Sequence, residues 1–366
     1  MLNFLNRFKY FDIPLQVCAM LLAISGLALL YSTSLNSPGH LIFWLQLLFL
    51  AFGLIGFLFL SFFDYHTLTK ANKIFYVLSL LVLLYLLFFG SLIRGGRRWL
   101  NFGFFYLQVA EFVKLVVILG LGRLLYLRRG QINSWTNLAW SFLYTAVPAV
   151  LIILEPDLGS ALILFAVWGG ILLISPIKKK FLIILLVIFL SFGGLTWKFL
   201  LKDFQKDRVR VFLNPRLDPR GRGYNVRQAT IAVGSGQLFG QGLGQGLQSQ
   251  NKFLPEQQTD FIFAASAEQV GFLGSFAILC LYFFFFFRLA KIITRAKDDL
   301  GMYLASGVFF VFFCHVVINI GMNIGLLPVT GIPLPFLSAG GSNLIVAFLM
   351  LGIVQNISLQ SKTLRF

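Results

Sequence analysis

The sequence predicts an all-α polytopic membrane protein with about ten transmembrane helices. Both termini are expected on the cytoplasmic side, with a large outer loop, 202–259, between helices 7 and 8. Three observations lead there. Hydrophobic residues make up 58% of the 366 positions and charged residues only 12%, against roughly 25% charged in a soluble domain. The mean hydropathy is +0.85. Basic residues gather at one set of span ends. Too few polar side chains remain to cover a water-facing surface, so much of the surface lies in lipid. Disorder is excluded on the same ground, and so is a secreted disulfide scaffold, because Cys18, Cys280 and Cys314 all lie in apolar runs. The chain reads as a single transmembrane domain, 1–366.

A helix needs about 20 apolar residues to cross the hydrocarbon. Suitable stretches run over 12–32, 41–63, 74–93, 106–127, 135–154, 159–177, 181–201, 260–288, 301–326 and 342–359. The first is not a cleavable signal, since no small-residue cleavage site is evident and more spans follow at once. Membrane strands are excluded because 181–190 is apolar on both faces, whereas barrel strands alternate.

One set of span ends carries Arg7, Lys9, Lys70, Lys73, Arg123, Arg128, Arg129, Lys178, Lys179, Lys180, Arg288, Lys291, Arg295, Lys297, Lys362 and Arg365. The positive-inside rule makes that side cytoplasmic. Inner-leaflet anchoring then explains most of the net charge of +17, and no nucleic-acid partner is expected. Two outer regions are basic against this bias. One is 94–98, with Arg94, Arg97 and Arg98. The other is 202–259, with Lys202, Lys206, Arg208, Arg210, Arg216, Arg220, Arg222, Arg227 and Lys252. Contact with anionic headgroups is the plainer explanation. An anionic outer ligand is favoured, because guanidinium forks match phosphate oxygens; Arg97, Arg98, Arg208 and Arg210 are the candidates.

Ionisable residues inside spans cost free energy and face a partner or a cavity. Glu111 and Lys114 stand three apart on one helix face and can pair, either as a packing device or as part of a site. Glu268 lies in the eighth span with no partner legible. Asp157 follows Glu155-Pro156 at the outer end of the sixth span, where capping is a sufficient role. Asp260 opens the eighth span. It too can be a cap, but an acid at the membrane mouth beside a basic segment also offers a base and a charge clamp at one interface. Gly242 and Gly244 permit close backbone approach in the long loop. Its stretch 229–233 and Phe239 are apolar enough to re-enter or lie at the interface. A second irregular connection, 325–341, contains Pro328, Pro333 and Pro335 and cannot be one regular helix. It offers Ser338, Ser342 and Asn343 as polar groups. His315, inside the ninth span, reads as a packed residue. No zinc spacing, P-loop or Ser-His-Asp arrangement is evident, and no internal repeat stands out.

These stretches resemble the SEDS family of polytopic proteins (shape, elongation, division and sporulation), over nearly the whole chain. The resemblance rests on Gly95-Gly96-Arg97-Arg98-Trp99-Leu100-Asn101, on 107–115, on Glu155-Pro156-Asp157-Leu158-Gly159-Ser160, and on Asp218-Pro219-Arg220-Gly221. It continues through 228–236, Gly242-Leu243-Gly244, 254–263 and 327–336. The elongation branch fits better than the division branch.

The resemblance implies a ten-helix peptidoglycan glycosyltransferase that polymerises lipid II on the outer face of the cytoplasmic membrane. Asp260 then matches the essential carboxylate and general base. Glu111, Lys114 and Asp157 match polar positions linked with activity, and Arg97 and Arg98 match the basic pair. It further implies a class B penicillin-binding protein as activating partner, other elongation-complex membrane proteins, and lipid II with lipid-linked glycan as substrates. A departing pyrophosphate needs positive charge or metal, so a divalent cation, Mg2+ or Mn2+, is compatible with the chemistry. Four positions depart from the family pattern: Glu155 where Gln is usual, Gln258 where His is usual, and Ala339 and Asn343 in place of Tyr and Ser. A lipid II flippase, or a non-catalytic scaffold for the transpeptidase, would use the same outer charges.

Overall fold

A computed structural model describes residues 10–35, 40–93, 96–103, 105–181, 183–185, 187, 203–214, 217–218, 221–251 and 253–362. Most of the expected seventh span, 181–201, lies outside these residues, as do Arg7, Lys9, Arg94, Lys202, Arg216, Arg220, Lys252 and Arg365.

The helices follow the apolar runs. They are α1 (Ile13–Thr33), α2 (Leu41–Phe62), α3 (Tyr65–Phe89), α4 (Val109–Leu127), α5 (Trp135–Leu154) and α6 (Leu158–Ile174). After them come α7 (Asp203–Leu213), α8 (Arg222–Ser235), α9 (Leu247–Gln250), α10 (Ile262–Thr294), α11 (Asp299–Asn323) and α12 (Gly341–Lys362). Seven of them are long and apolar enough to cross a membrane. Helix α6 is a shorter apolar helix, and α4 carries the buried Glu111 and Lys114 in an otherwise apolar run. The chain is a multi-pass membrane protein. Helix α12 is central, with 89% of its most apolar window buried, whereas α3 has 17% and turns its apolar side chains outward.

Local chemistry sets the helix starts. Asp12 caps α1 by accepting from Leu15 N, Asp157 caps α6 through Ser160 N, and Asp298 caps α11 through Gly301 N. Each satisfies one of the donors a helix start leaves open. Helix α3 begins nine residues before the expected 74, because Asp64 accepts from His66 N and starts the helix ahead of Lys70 and Lys73.

Two features depart from a purely helical reading. The connection between α3 and α4 forms a three-stranded antiparallel sheet: β1 (Ser91–Ile93), β2 (Gly96–Asn101) and β3 (Tyr106–Gln108), in the order β1-β2-β3. Trp99 pairs with Ser91 on one side and Gln108 on the other. β1 and β3 are too short to show a period in the sequence, and β2 has no apolar–polar alternation.

The second departure is a break inside α10. Gly271 takes φ 67°, ψ −166°, and the strap 237–242 binds the freed backbone. Gln241 N and Gly242 N donate to the carbonyls of Glu268 and Gln269, at 2.9 and 3.0 Å. Phe272 N donates to Gln237 O at 2.8 Å. Backbone groups away from water need such partners. The apolar stretch 229–233 is part of α8, where buried Ala229 and Ala232 pack against Leu254, Phe261, Ala264 and Ala265. Phe239 is exposed.

The segment 325–340 folds back into the bundle. Leu334, Phe336, Leu337 and Ser338 are buried, and α1 approaches its backbone at Gly26. A methyl group there would sit 2.6 Å from Leu337 O and 2.8 Å from Phe336 O. An ordinary Gly→Ala change inside a helix stabilises by up to about 1 kcal/mol. Gly26→Ala is expected instead to destabilise by about 1–3 kcal/mol through overpacking, read as a lower unfolding midpoint in detergent. A raised midpoint would contradict this packing.

Candidate active site

Asp260 stands on the turn between α9 and α10, and α11 holds that turn. Asn319 Nδ2 and Asn323 Nδ2 each donate to the Asp260 backbone carbonyl at 3.0 Å. Asn323 Oδ1 accepts from Ala264 N at 2.9 Å, satisfying a donor in the first turn of α10. The Asp260 side chain is partly exposed and lies against Gly331, where a methyl group would be 3.4 Å from its Oδ2. Gly331 has φ 76°, so the backbone conformation and the space both favour glycine.

The 325–340 segment is fixed from several helices. His315 Nδ1 lies 3.0 Å from Pro333 O and Asn319 Nδ2 donates to Ile332 O at 2.8 Å. Tyr282 Oη donates to Pro335 O at 2.6 Å. Gln46 on α2 donates to Ser338 O and accepts from Gly340 N, both at 3.1 Å. Ser338 Oγ donates to Thr259 O at 2.7 Å and accepts from Leu334 N at 2.8 Å, and Ala339 N donates to Gln258 O at 2.7 Å. Ser338 thereby ties this segment to the Asp260 turn. Phe336 holds the left-handed φ of 66°, with its ring against Phe285, Phe312 and Phe348 at 5.4–5.6 Å.

Glu111 and Lys114 form the pair that their spacing predicts, at 2.8 Å, with both residues buried. Lys114 Nζ also lies 2.9 Å from His315 Nε2. A carbonyl only accepts, so Pro333 O fixes the His315 proton on Nδ1 and leaves Nε2 to accept from Lys114. One relay therefore runs Glu111–Lys114–His315–Pro333 and ends in the segment beside Asp260. His315 is packed, as expected, but it also carries this connection. His315, Asn319 and Asn323 recur every four residues on α11. That polar stripe in an apolar span was the available signal for them.

A second cluster lies at the same end of the bundle. Asp157 accepts from Ser160 N at 3.1 Å, Ser160 Oγ at 3.0 Å and Gln108 Nε2 at 2.9 Å, and Arg98 Nη1 lies 3.6 Å from it. Capping thus accounts for part of Asp157 and the ion pair for more. Gln108 N donates to Ser342 Oγ at 2.8 Å, which joins β3 to the start of α12. Gly159, two residues after Asp157, lies against Ile332, where a methyl group would be 3.0 Å from Cγ1. The two clusters thus flank the same segment, Asp260 touching Gly331 and Gly159 touching Ile332. Glu155 is buried, and neither of its carboxylate oxygens has a hydrogen-bond partner among the described residues. Burial, reinforced by Asp157 and opposed by Arg98, pushes its carboxyl up to about 8.

The other candidates sit further out. Arg97 is exposed and donates to Phe88 O at 2.8 Å, closing the end of α3. Arg210 pairs with Asp207 at 3.2 Å on α7; the side chain of Arg208, on the same helix, lies outside the described residues. Gly242, at the end of the strap that covers the α10 break, and Gly244, just after it, take φ of 101° and 77°. Glu268 has the partners that the sequence did not reveal. It accepts from Gln248 N at 2.7 Å, from Ser249 N at 3.0 Å and from the Ser249 hydroxyl, at the start of α9.

The cell cycle protein family FtsW/RodA/SpoVE matches residues 12–363. The chain belongs to this family. Peptidoglycan glycosyltransferase MrdB of Escherichia coli (strain K12) is 37% identical over 290 residues, 79% of this chain and 78% of its own. Stage V sporulation protein E of Bacillus subtilis is 36% identical over 363 residues, 96% of this chain and 98% of its own. A chain solved in a study of polymerization and crosslinking by a peptidoglycan synthase complex superposes with a TM-score of 0.81 at 26% identity, covering 96% of this chain and 98% of that one. The crystal structure of RodA from Thermus thermophilus gives 0.71 at 25% identity, with the same coverage.

Within this FtsW/RodA/SpoVE chain, Glu155 makes stability depend on pH. Its folded carboxyl titrates at about 8 against an ordinary value of 4.5, so between those values the folded state binds more protons than the unfolded state. Stability then falls as pH rises. Glu155→Gln is expected to unfold later than wild type at pH 8–9, with the difference shrinking towards pH 5, in melting curves across that range. A difference independent of pH would contradict the assignment.

Proposed function

We propose that the chain is a peptidoglycan glycosyltransferase that polymerises lipid II into glycan strands during cell elongation, with Asp260 as the base. The acceptor sugar hydroxyl attacks the anomeric carbon of a lipid-pyrophosphate-linked donor. A glycosidic C–O bond forms, the bond to pyrophosphate breaks, and the hydroxyl proton passes to the Asp260 carboxylate. The observation that carries this reading is the setting of Asp260. Its backbone is clamped from α11, while its side chain is held at the mouth beside Gly331 and remains partly exposed. A base must reach the proton it takes, so a fixed position matters before proton affinity does. Membership of the family and the names of its relatives support the reaction class.

The pyrophosphate needs positive charge as it departs. Arg97 and Arg98 on β2, the second of them beside Asp157, are candidates from the sheet, and Arg208 and Arg210 on α7 are the candidates from the long loop. A hard divalent cation takes one or two carboxylates plus substrate phosphate oxygens. Asp260 fits as the single protein ligand of a phosphate-held Mg2+ or Mn2+, which would supply further charge to the leaving group. Ten spans with both ends cytoplasmic, a single domain over 1–366 and residence in the bacterial inner membrane complete the proposal. The partner is a class B penicillin-binding transpeptidase, supported by the synthase complex that contains a chain of this fold.

The test is polymerisation of labelled lipid II by the purified protein with its transpeptidase. Asp260→Asn is expected to abolish glycan ladders, a loss of at least about 100-fold, while a transpeptidase-dead partner leaves them intact. Ladders that persist with Asp260→Asn would remove Asp260 as base. Folded, partner-bound protein that makes no ladders would favour lipid transport or scaffolding.

A further inference from the structure

At the end of the bundle opposite Asp260, two helix ends bring four cations to one crevice. Arg288 and Lys291 stand in the last turns of α10, Arg295 caps its C-terminal end, and Lys362 closes α12. These four line the crevice together with Asp12 and Ser361. Residues 262 and 291 are separated by roughly 40 Å of helix rise, so the crevice is remote from the site above. The positive-inside rule accounts for cations at this end. It does not account for their convergence on a shared recess.

The charges in the recess do not balance. Asp12 is buried and already held by Arg288, with Nε and Nη2 donating to its two oxygens at 3.0 and 2.7 Å. Lys362 Nζ donates to the carbonyls of Tyr10 and Phe11 at 3.0 and 3.4 Å, which carry no full charge. Asp12 attracts Lys362, while Arg288, Arg295 and Lys291 all repel it. Among the described residues no carboxylate forms an ion pair with Lys291 or Arg295. The carbonyl ends of α10 and α12 contribute about half a negative charge each. Four cations against one carboxylate and two helix ends still leave a clear excess.

We propose that this crevice binds a phosphate group, and that the phosphate is the headgroup of an anionic phospholipid. The recess lies where the apolar helices α10 and α12 end, and such helix ends meet lipid headgroups when the helices span a bilayer. Basic pockets between helices at that depth suit phosphate-bearing lipids. Lys291 and Arg295 supply the charge that no described carboxylate pairs, and the Ser361 hydroxyl supplies a neutral donor.

Native mass spectrometry of the delipidated full-length protein tests this with three probes: phosphatidylglycerol, phosphatidylcholine and inorganic phosphate. Phosphatidylglycerol is expected to bind in preference to phosphatidylcholine. Lys291→Gln with Arg295→Gln should weaken it by about thirtyfold, the order expected from two cations near an anionic headgroup. The Asp12–Arg288 pair is left intact in this variant, and its unfolding midpoint reports that it folds. Lys70→Gln with Lys73→Gln removes the same charge from α3, outside the crevice, and should change binding less than threefold. Equal losses in the two variants, or none in either, would overturn the site. Binding of inorganic phosphate with no preference between the lipids would overturn the lipid as its source.

Discussion

Irregular backbone inside a helical bundle must find hydrogen-bond partners from side chains, and this protein draws many of them from one face of α11. His315, Asn319 and Asn323 reach the carbonyls of Pro333, Ile332 and Asp260. Without them the 325–340 segment and the Asp260 turn would carry unpaired polar groups in a bundle surrounded by lipid, at a cost of several kcal/mol each. The stripe is itself polar and has to be held. Lys114 donates to His315 and is charge-balanced by Glu111, with both ions buried. A buried pair is weak evidence for added stability. Its clear effect here is positional, since the relay from α4 ends in the segment that frames Asp260.

The two acidic centres at this end are built differently. Asp157 is saturated by two donors of Ser160, by Gln108 and by Arg98, and its task is to hold the start of α6 and the sheet together. Asp260 is fixed through its backbone, with its side chain partly exposed beside a glycine. A carboxylate that is to meet a substrate has to be reachable as well as fixed. The sheet then matters for where it places Arg98, 3.6 Å from Asp157.

The seven long apolar helices were legible because apolar run length is a strong local signal; α5 occupies 135–154, as the runs predict. Capping by Asp157 and pairing of Glu111 with Lys114 were legible for the same reason, each being a contact three residues along one helix. Contacts between distant segments were not legible. Glu268 meets Ser249 across 19 residues and His315 meets Lys114 across 201, and no local pattern encodes either. The sheet at 91–108 escaped because β1 and β3 have three residues each and the six of β2, Gly96–Asn101, show no apolar–polar alternation. Helix α3 started early because a single capping aspartate outweighed two lysines in its first turns. The polar stripe on α11 was present in the spacing of His315, Asn319 and Asn323, although its partners were not.

The central claim is that α11 positions Asp260 through its backbone. The direct measurement is lipid II polymerisation per folded molecule for Asn319→Ala with Asn323→Ala, set beside the unfolding midpoint of the same protein. The account predicts a rate at least about tenfold lower in molecules that remain folded, as expected when a group at the reacting centre loses its placement. A rate that follows only the folded fraction, with folded molecules polymerising at the wild-type rate, would contradict it.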